Sequence, residues 1–142
     1  MKRCAHGVIG VVLALVVAFA AVGTGMTDTR VSAATAPDGL AQAVVAGYYD
    51  AINNGQYALA YSYLGSAWHA RQSYSNFVNG FANTSFDDVV VTNYYDGPNA
   101  STVYIGLAAY QIDGSVQYYL GTYTLAYEGM YFKIIGASIK AN

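Results

Sequence analysis

The sequence predicts an α+β domain, and three observations carry that prediction. Apolar residues recur at helical spacing from Leu40 to Phe81, and the period drops from about 3.6 to 2 after Thr84. Asp113-Gly114 stands between two alternating runs, the signature of a tight hairpin turn. The composition is that of a packed chain: 55% hydrophobic and only 10% charged, against a typical charged fraction of roughly 25%. Disorder needs the reverse balance. Helices gathered at the front and antiparallel hairpins behind them give the α+β class.

The elements follow in order. Pro37-Asp38 reads as a helix start, with Asp38 as the N-cap. Leu40, Val44, Gly47, Tyr48, Ala51 and Ile52 form one stripe, and Asn53-Asn54-Gly55 ends the helix. A second short helix is expected over Tyr57 to Leu64, a loop or broken turn over Gly65 to Gln72, and a third helix from a Ser73 cap to Phe81. Four strands are expected, over Asp87 to Tyr95, Ser101 to Ile112, Ser115 to Tyr127 and Tyr131 to Lys140. Their separators are Asp96-Gly97-Pro98-Asn99, Asp113-Gly114 (as a two-residue turn) and Glu128-Gly129.

Ahead of this domain lies an export segment. Lys2 and Arg3 precede a dense apolar run from Val8 to Val22. At 1.5 Å per residue that run covers about 22 Å, short of the roughly 30 Å hydrocarbon core. It matches a signal-peptide h-region, and Val31-Ser32-Ala33 supplies small residues where a peptidase cleaves. Residues 1–33 are therefore expected to be a signal peptide, with an uncleaved N-terminal membrane anchor as the alternative. Residues 34–37 read as a linker and 38–142 as the domain, secreted or otherwise extracytoplasmic. The only cysteine, Cys4, lies within the leader and precedes the apolar run, so it is no lipoprotein-type lipidation site. The domain itself can form neither a disulfide nor a thiolate metal site. An exported chain without disulfides tilts the origin towards bacteria.

Charge excludes one class of partner. Past Ala33, three basic residues (Arg71, Lys133, Lys140) face seven acidic ones, a net charge of −4. Such a surface repels nucleic acid. There is no glycine-rich phosphate loop, no G-x-S-x-G elbow and, with two histidines of which one is His6, no histidine metal site. No cofactor is expected.

The run Tyr48-Tyr49-Asp50-Ala51-Ile52-Asn53-Asn54-Gly55-Gln56-Tyr57-Ala58-Leu59-Ala60-Tyr61, then Ser73-Tyr74 with Phe77, and Gly129-Met130-Tyr131-Phe132-Lys133-Ile134-Ile135 at the end, resembles the NTF2-like superfamily, which includes ketosteroid-isomerase-like and SnoaL-like enzymes. The resemblance spans about Leu40 to Ile139 and rests on aromatic and turn positions, not on a catalytic signature. It implies a curved, mostly antiparallel sheet of four to six strands around the amino-terminal helices. That shape is a cone with a pocket at its open end, and many members dimerise through the outer sheet face.

Candidate site residues are few. Trp68-His69-Ala70-Arg71 is the densest group of functional side chains, in a loop that the resemblance places near the pocket mouth. His69 has the reference pKa of a general base near neutrality, and Arg71 can hold a carboxylate. The plainer reading is that Trp68 plugs the cone and the other two are solvated. Asp50, beside the paired tyrosines, would shuttle a proton if buried, but it lies near a helix end where solvation is the simpler state. The expected pocket thus comprises Tyr48, Tyr49, Trp68, His69, Arg71 and Tyr110.

In the second strand Val103, Ile105, Leu107 and Ala109 oppose Tyr104, Ala108, Tyr110 and Ile112. In the third, Tyr118, Leu120, Thr122 and Thr124 oppose Tyr119, Tyr123, Leu125 and Tyr127. Neither face is plainly polar, as a wet face should be. Either both are covered, or tyrosines face a ligand, or tyrosine simply replaces charge on an exposed sheet. The strand acids Asp87, Asp88, Asp96, Asp113 and Glu128 read as turn or edge residues. The tyrosine and paired carboxyl groups of the isomerase-like enzymes therefore find no match.

The expected function is a non-catalytic extracytoplasmic binding module for a small molecule, an envelope component or a protein, associating through its sheet as a homodimer or with a partner. The alternative is a cofactor-independent isomerase or dehydratase acting on an apolar substrate through Asp50 or His69. That alternative requires one of the two to point into the pocket.

Overall fold

A computed structural model describes residues 38–142. The expected leader and its Val31-Ser32-Ala33 cleavage site lie outside the described residues. Among the described residues no helix is long and apolar enough to cross a membrane.

Four helices precede four strands. They are α1 (Leu40–Asn53), α2 (Tyr57–Ser62), α3 (Ser66–His69), α4 (Tyr74–Gly80), β1 (Thr84–Asp96), β2 (Ser101–Gln111), β3 (Val116–Glu128) and β4 (Tyr131–Ala141). The strands form one open antiparallel sheet in the order β1-β2-β3-β4. The α+β class is thus correct, and the helices and strands stand where the periodicity puts them to within a few residues.

Three local expectations need correction. Asp38 does not cap α1: Gly39 takes the cap position at φ 83°, with no side-chain hydrogen bond. Glycine enters this left-handed conformation without the Cβ clash that an aspartate would suffer. The segment expected as a loop contains the single turn α3, whose amide at Ser66 is held by the Glu128 carboxylate at 3.0 and 3.1 Å. That cap comes from 62 residues away and has no local signature. The β2–β3 turn is longer by one residue than expected. Gln111 N–H donates to Ser115 O, leaving Ile112, Asp113 and Gly114 as the loop, with Gly114 at φ 87°. A left-handed glycine in third place is the usual form of such a loop. Ser73, by contrast, caps α4 as expected by accepting from the Asn76 amide.

The alternation in the strands resolves into one covered and one open face. Val103, Ile105, Tyr123, Leu125 and Ile134 are buried in a cluster that also contains Val45, Tyr48, Tyr49 and Ile52 of α1. On the opposite face Val90, Tyr104, Tyr118 and Leu120 are all at least 43% exposed. The link between α2 and α3 is pinned to the sheet edge. Leu64 pairs with Ile134, Ile134 N–H donates to Tyr63 O, and Gly65 N–H donates to Ile134 O. An open cleft lies between α1 and the covered face of the sheet, lined by α1, Phe81 and all four strands.

Candidate functional site

The cleft begins with a helix end. Asn53, the last residue of α1, uses its side-chain amide as if it were a strand neighbour. Its Nδ2 donates to Asp87 O and its Oδ1 accepts from Asp87 N, both at 2.8 Å. This clamp fixes the start of β1 against α1. Register does the rest: Asp87 pairs with Ala109 on β2, so its side chain joins Val89 and Val91 on the covered face.

Asp87 is consequently buried, with 3% of its surface exposed. No described residue donates a hydrogen bond to its carboxylate. Its surroundings are phenols and hydrocarbon: Tyr48 and Tyr49 from α1, Tyr119 and Tyr123 from β3, with Phe81 and Ile139 closing the sides of a cleft of about 190 Å³. Burial pushes the Asp87 carboxyl up to about 6 from an ordinary 3.8, since leaving water disfavours the charged form. No positive group opposes that shift. The same burial raises Tyr48, Tyr49 and Tyr123, and the charge of Asp87 adds to each. The three phenols therefore stay protonated at any working pH.

The rings meet edge to face. Tyr48 and Tyr49 lie 5.1 Å apart at 81°, and Tyr123 stands 6.1 and 6.2 Å from them at 64° and 68°. This arrangement aligns the positive ring edges with the negative faces. Tyr49 and Tyr123 share one hydrogen bond between their hydroxyls, at 2.7 Å. Replacing either by phenylalanine is expected to cost about 1–2 kcal/mol, because a buried hydroxyl loses its partner. The double replacement should cost less than the two singles together. Urea denaturation of the four proteins checks this, and strict additivity would show that the bond carries no coupling.

The residues singled out from sequence fall into separate places. Tyr48 and Tyr49 line the Asp87 cleft. Trp68 and Arg71 border a different, wider hollow of about 510 Å³ with Gln72, Asn76, Gly136 and Ala137. There Arg71 lies over the Trp68 ring at 5.5 Å, and the Trp68 Nε1 is buried with no partner among the described residues. His69 is exposed, stacked on Tyr61 at 4.2 Å, with its Nε2 3.0 Å from Tyr61 O. Asp50 is exposed and accepts from Asn54 Nδ2 one turn on. Tyr110 sits on the open sheet face against Phe86. Neither Asp50 nor His69 points into the cleft, so neither meets the requirement for chemistry there. The carboxylate that does so is Asp87.

A third hollow, of about 550 Å³, surrounds the β2–β3 turn at Gln111, Asp113 and Ser115. It and the Trp68 hollow are larger than the Asp87 cleft, but neither contains a buried charge. Among the described residues no three His, Cys, Asp or Glu side chains converge to hold a metal ion. No family model matches the chain, and no curated protein or solved structure matches it.

Proposed function

We propose that this chain is an extracytoplasmic NTF2-like module that binds a small, largely apolar molecule over Asp87 without transforming it. One observation carries the reading: a buried carboxylate, without a hydrogen-bond donor among the described residues, at the floor of an aromatic cleft. Apolar clefts with a few convergent polar groups are the usual form of small-molecule sites. The helices-first order and the four-stranded meander are in keeping with the cone architecture. The leader motif supports export. Cyclohexanone is a suitable first probe of the apolar walls, being small and largely hydrocarbon. Titration into the full-length chain should shift the amide NMR signals of Ala109 and Tyr123. No shift there from saturating millimolar ketone, with no binding of a small organic cation either, would overturn the reading.

The raised carboxyl of Asp87 favours a second reading, in which it removes a proton from a carbon acid. A base with a pKa near the working pH is suited to that step. The same ketone tests it. Exchange of its α-hydrogens with D₂O should be faster with the native chain than with the Asp87→Asn variant. Equal rates would leave binding alone.

The open sheet face supports association with a second copy of the chain. Val90, Tyr104, Tyr118 and Leu120 form an exposed apolar patch of the kind that interfaces cover. Sedimentation is expected to show a dimer that Leu120→Asp converts to monomer. A native monomer at high micromolar concentration would exclude the pairing.

A further inference from the structure

The Asp87 cleft also has a chemical preference, and this inference rests on the binding reading above. We infer that its ligand class is a small organic ammonium, held with its charge against Asp87 and its alkyl groups against the tyrosine rings. Three features of the cleft lead there.

The first is an uncompensated negative charge. Asp87 is 3% exposed, and its carboxylate accepts no hydrogen bond from a described residue. The groups facing it are Tyr48 and Tyr49 from α1 and Tyr119 and Tyr123 from β3, while β2 and β4 contribute only Leu107, Ala109 and Ile139. None is positive, and near neutral pH the carboxyl is mostly ionised. The carboxylate reaches water only through the cleft, so a cationic ligand seated there would pair with it directly.

The second is the wall. Three tyrosine rings stand at steep mutual angles of 64° to 81°, forming corners rather than a flat stack. The negative part of an aromatic quadrupole attracts organic cations, and sites lined by several aromatic rings recognise quaternary ammonium groups. A neutral hydrocarbon would use the same walls but leave the carboxylate unpaired. An anion would be repelled by it.

The third is size and field. A cleft of about 190 Å³ holds the volume of roughly six waters at about 30 Å³ each. A trimethylammonium or similar alkylammonium group fits that volume. The net charge of −4 past Ala33 draws cations towards the domain.

Choline and 3,3-dimethylbutan-1-ol test this directly, because they share a shape and differ in charge. Calorimetric titration of the full-length chain should show choline binding about tenfold tighter than the neutral isostere, with Asp87→Asn abolishing the preference. Equal affinity, or preference for the neutral alcohol, overturns the ammonium assignment and leaves the pocket standing. A preference that survives Asp87→Asn overturns the role given to that carboxylate. Binding of neither compound, with the NMR signals of the cleft also unmoved by cyclohexanone, overturns the pocket itself.

Discussion

Replacing Asp87 by asparagine is expected to stabilise the folded protein at pH 7, the opposite of what removing a buried charged residue usually does. The backbone clamp from Asn53 involves Asp87 N and O and survives the change. What disappears is a buried charge without a counter-charge. The folded-state carboxyl titrates at about 6 against 3.8 when unperturbed, so the folded chain holds this proton more tightly than the unfolded chain. The stability it contributes is full below about pH 4 and is lost as pH rises through 6. The shift alone sets a ceiling of about 3 kcal/mol; water entering the open cleft screens the charge and reduces this to about 1–2 kcal/mol. The native protein and Asp87→Asn should therefore denature alike near pH 4 in urea, diverge between pH 4 and 6, and differ by a constant amount above that. A native chain more stable than the variant at pH 7 would mean that Asp87 has an internal partner. A costly group retained at a cleft is also the pattern of a site kept for binding rather than for stability.

The largest loss of stability is expected from Gly121→Ala. Gly121 pairs with Ile105 on β2 and Ile139 on β4. A Cβ there would run into the Ser138 carbonyl oxygen and come within 2.6 Å of Ile139 Cδ1 and 2.8 Å of Ile139 Cα. Two of these atoms are backbone and cannot rotate away. The strands would have to separate, at a cost of about 3 kcal/mol or more. Ile139 folds across Gly121 and forms one wall of the Asp87 cleft, so ligand binding should weaken in parallel. Gly106 provides the control. It lies on the adjacent strand with only Leu120 Cδ2, at 3.8 Å, near its added Cβ. Gly106→Ala should be neutral or stabilise by up to about 1 kcal/mol, since glycine loses more chain entropy on folding. Comparable denaturation midpoints for the two variants would show that the close approach at Gly121 relaxes freely.

How far the site was legible depends on the residue. Tyr48 sits on the helical stripe with Val44 and Ile52, so its burial follows from spacing, whereas Tyr49 lies off that stripe and is buried all the same. Asp87 was legible in principle. It lies two residues before Val89 and four before Val91, and strand parity places it on their face. Its position at the expected start of the strand suggested an edge residue instead, and the structure begins β1 earlier, at Thr84. Glu128 was read as a turn residue for the same reason, although its carboxylate holds α3.

The sequence by itself determined the α+β class, the order of helices before strands, the antiparallel meander and the two faces of each strand. These depend on local period and on turn residues such as Gly114 and Gly129, and each is written within a few consecutive positions. Only the tertiary structure decided which face is covered, that Asn53 would clamp Asp87, and that Tyr49 and Tyr123 would meet across 74 positions. Those outcomes depend on which distant segments share the interior. Once Asp87 stands there, its charge loses part of its water and gains no described counter-charge. That gives the described residues a candidate site.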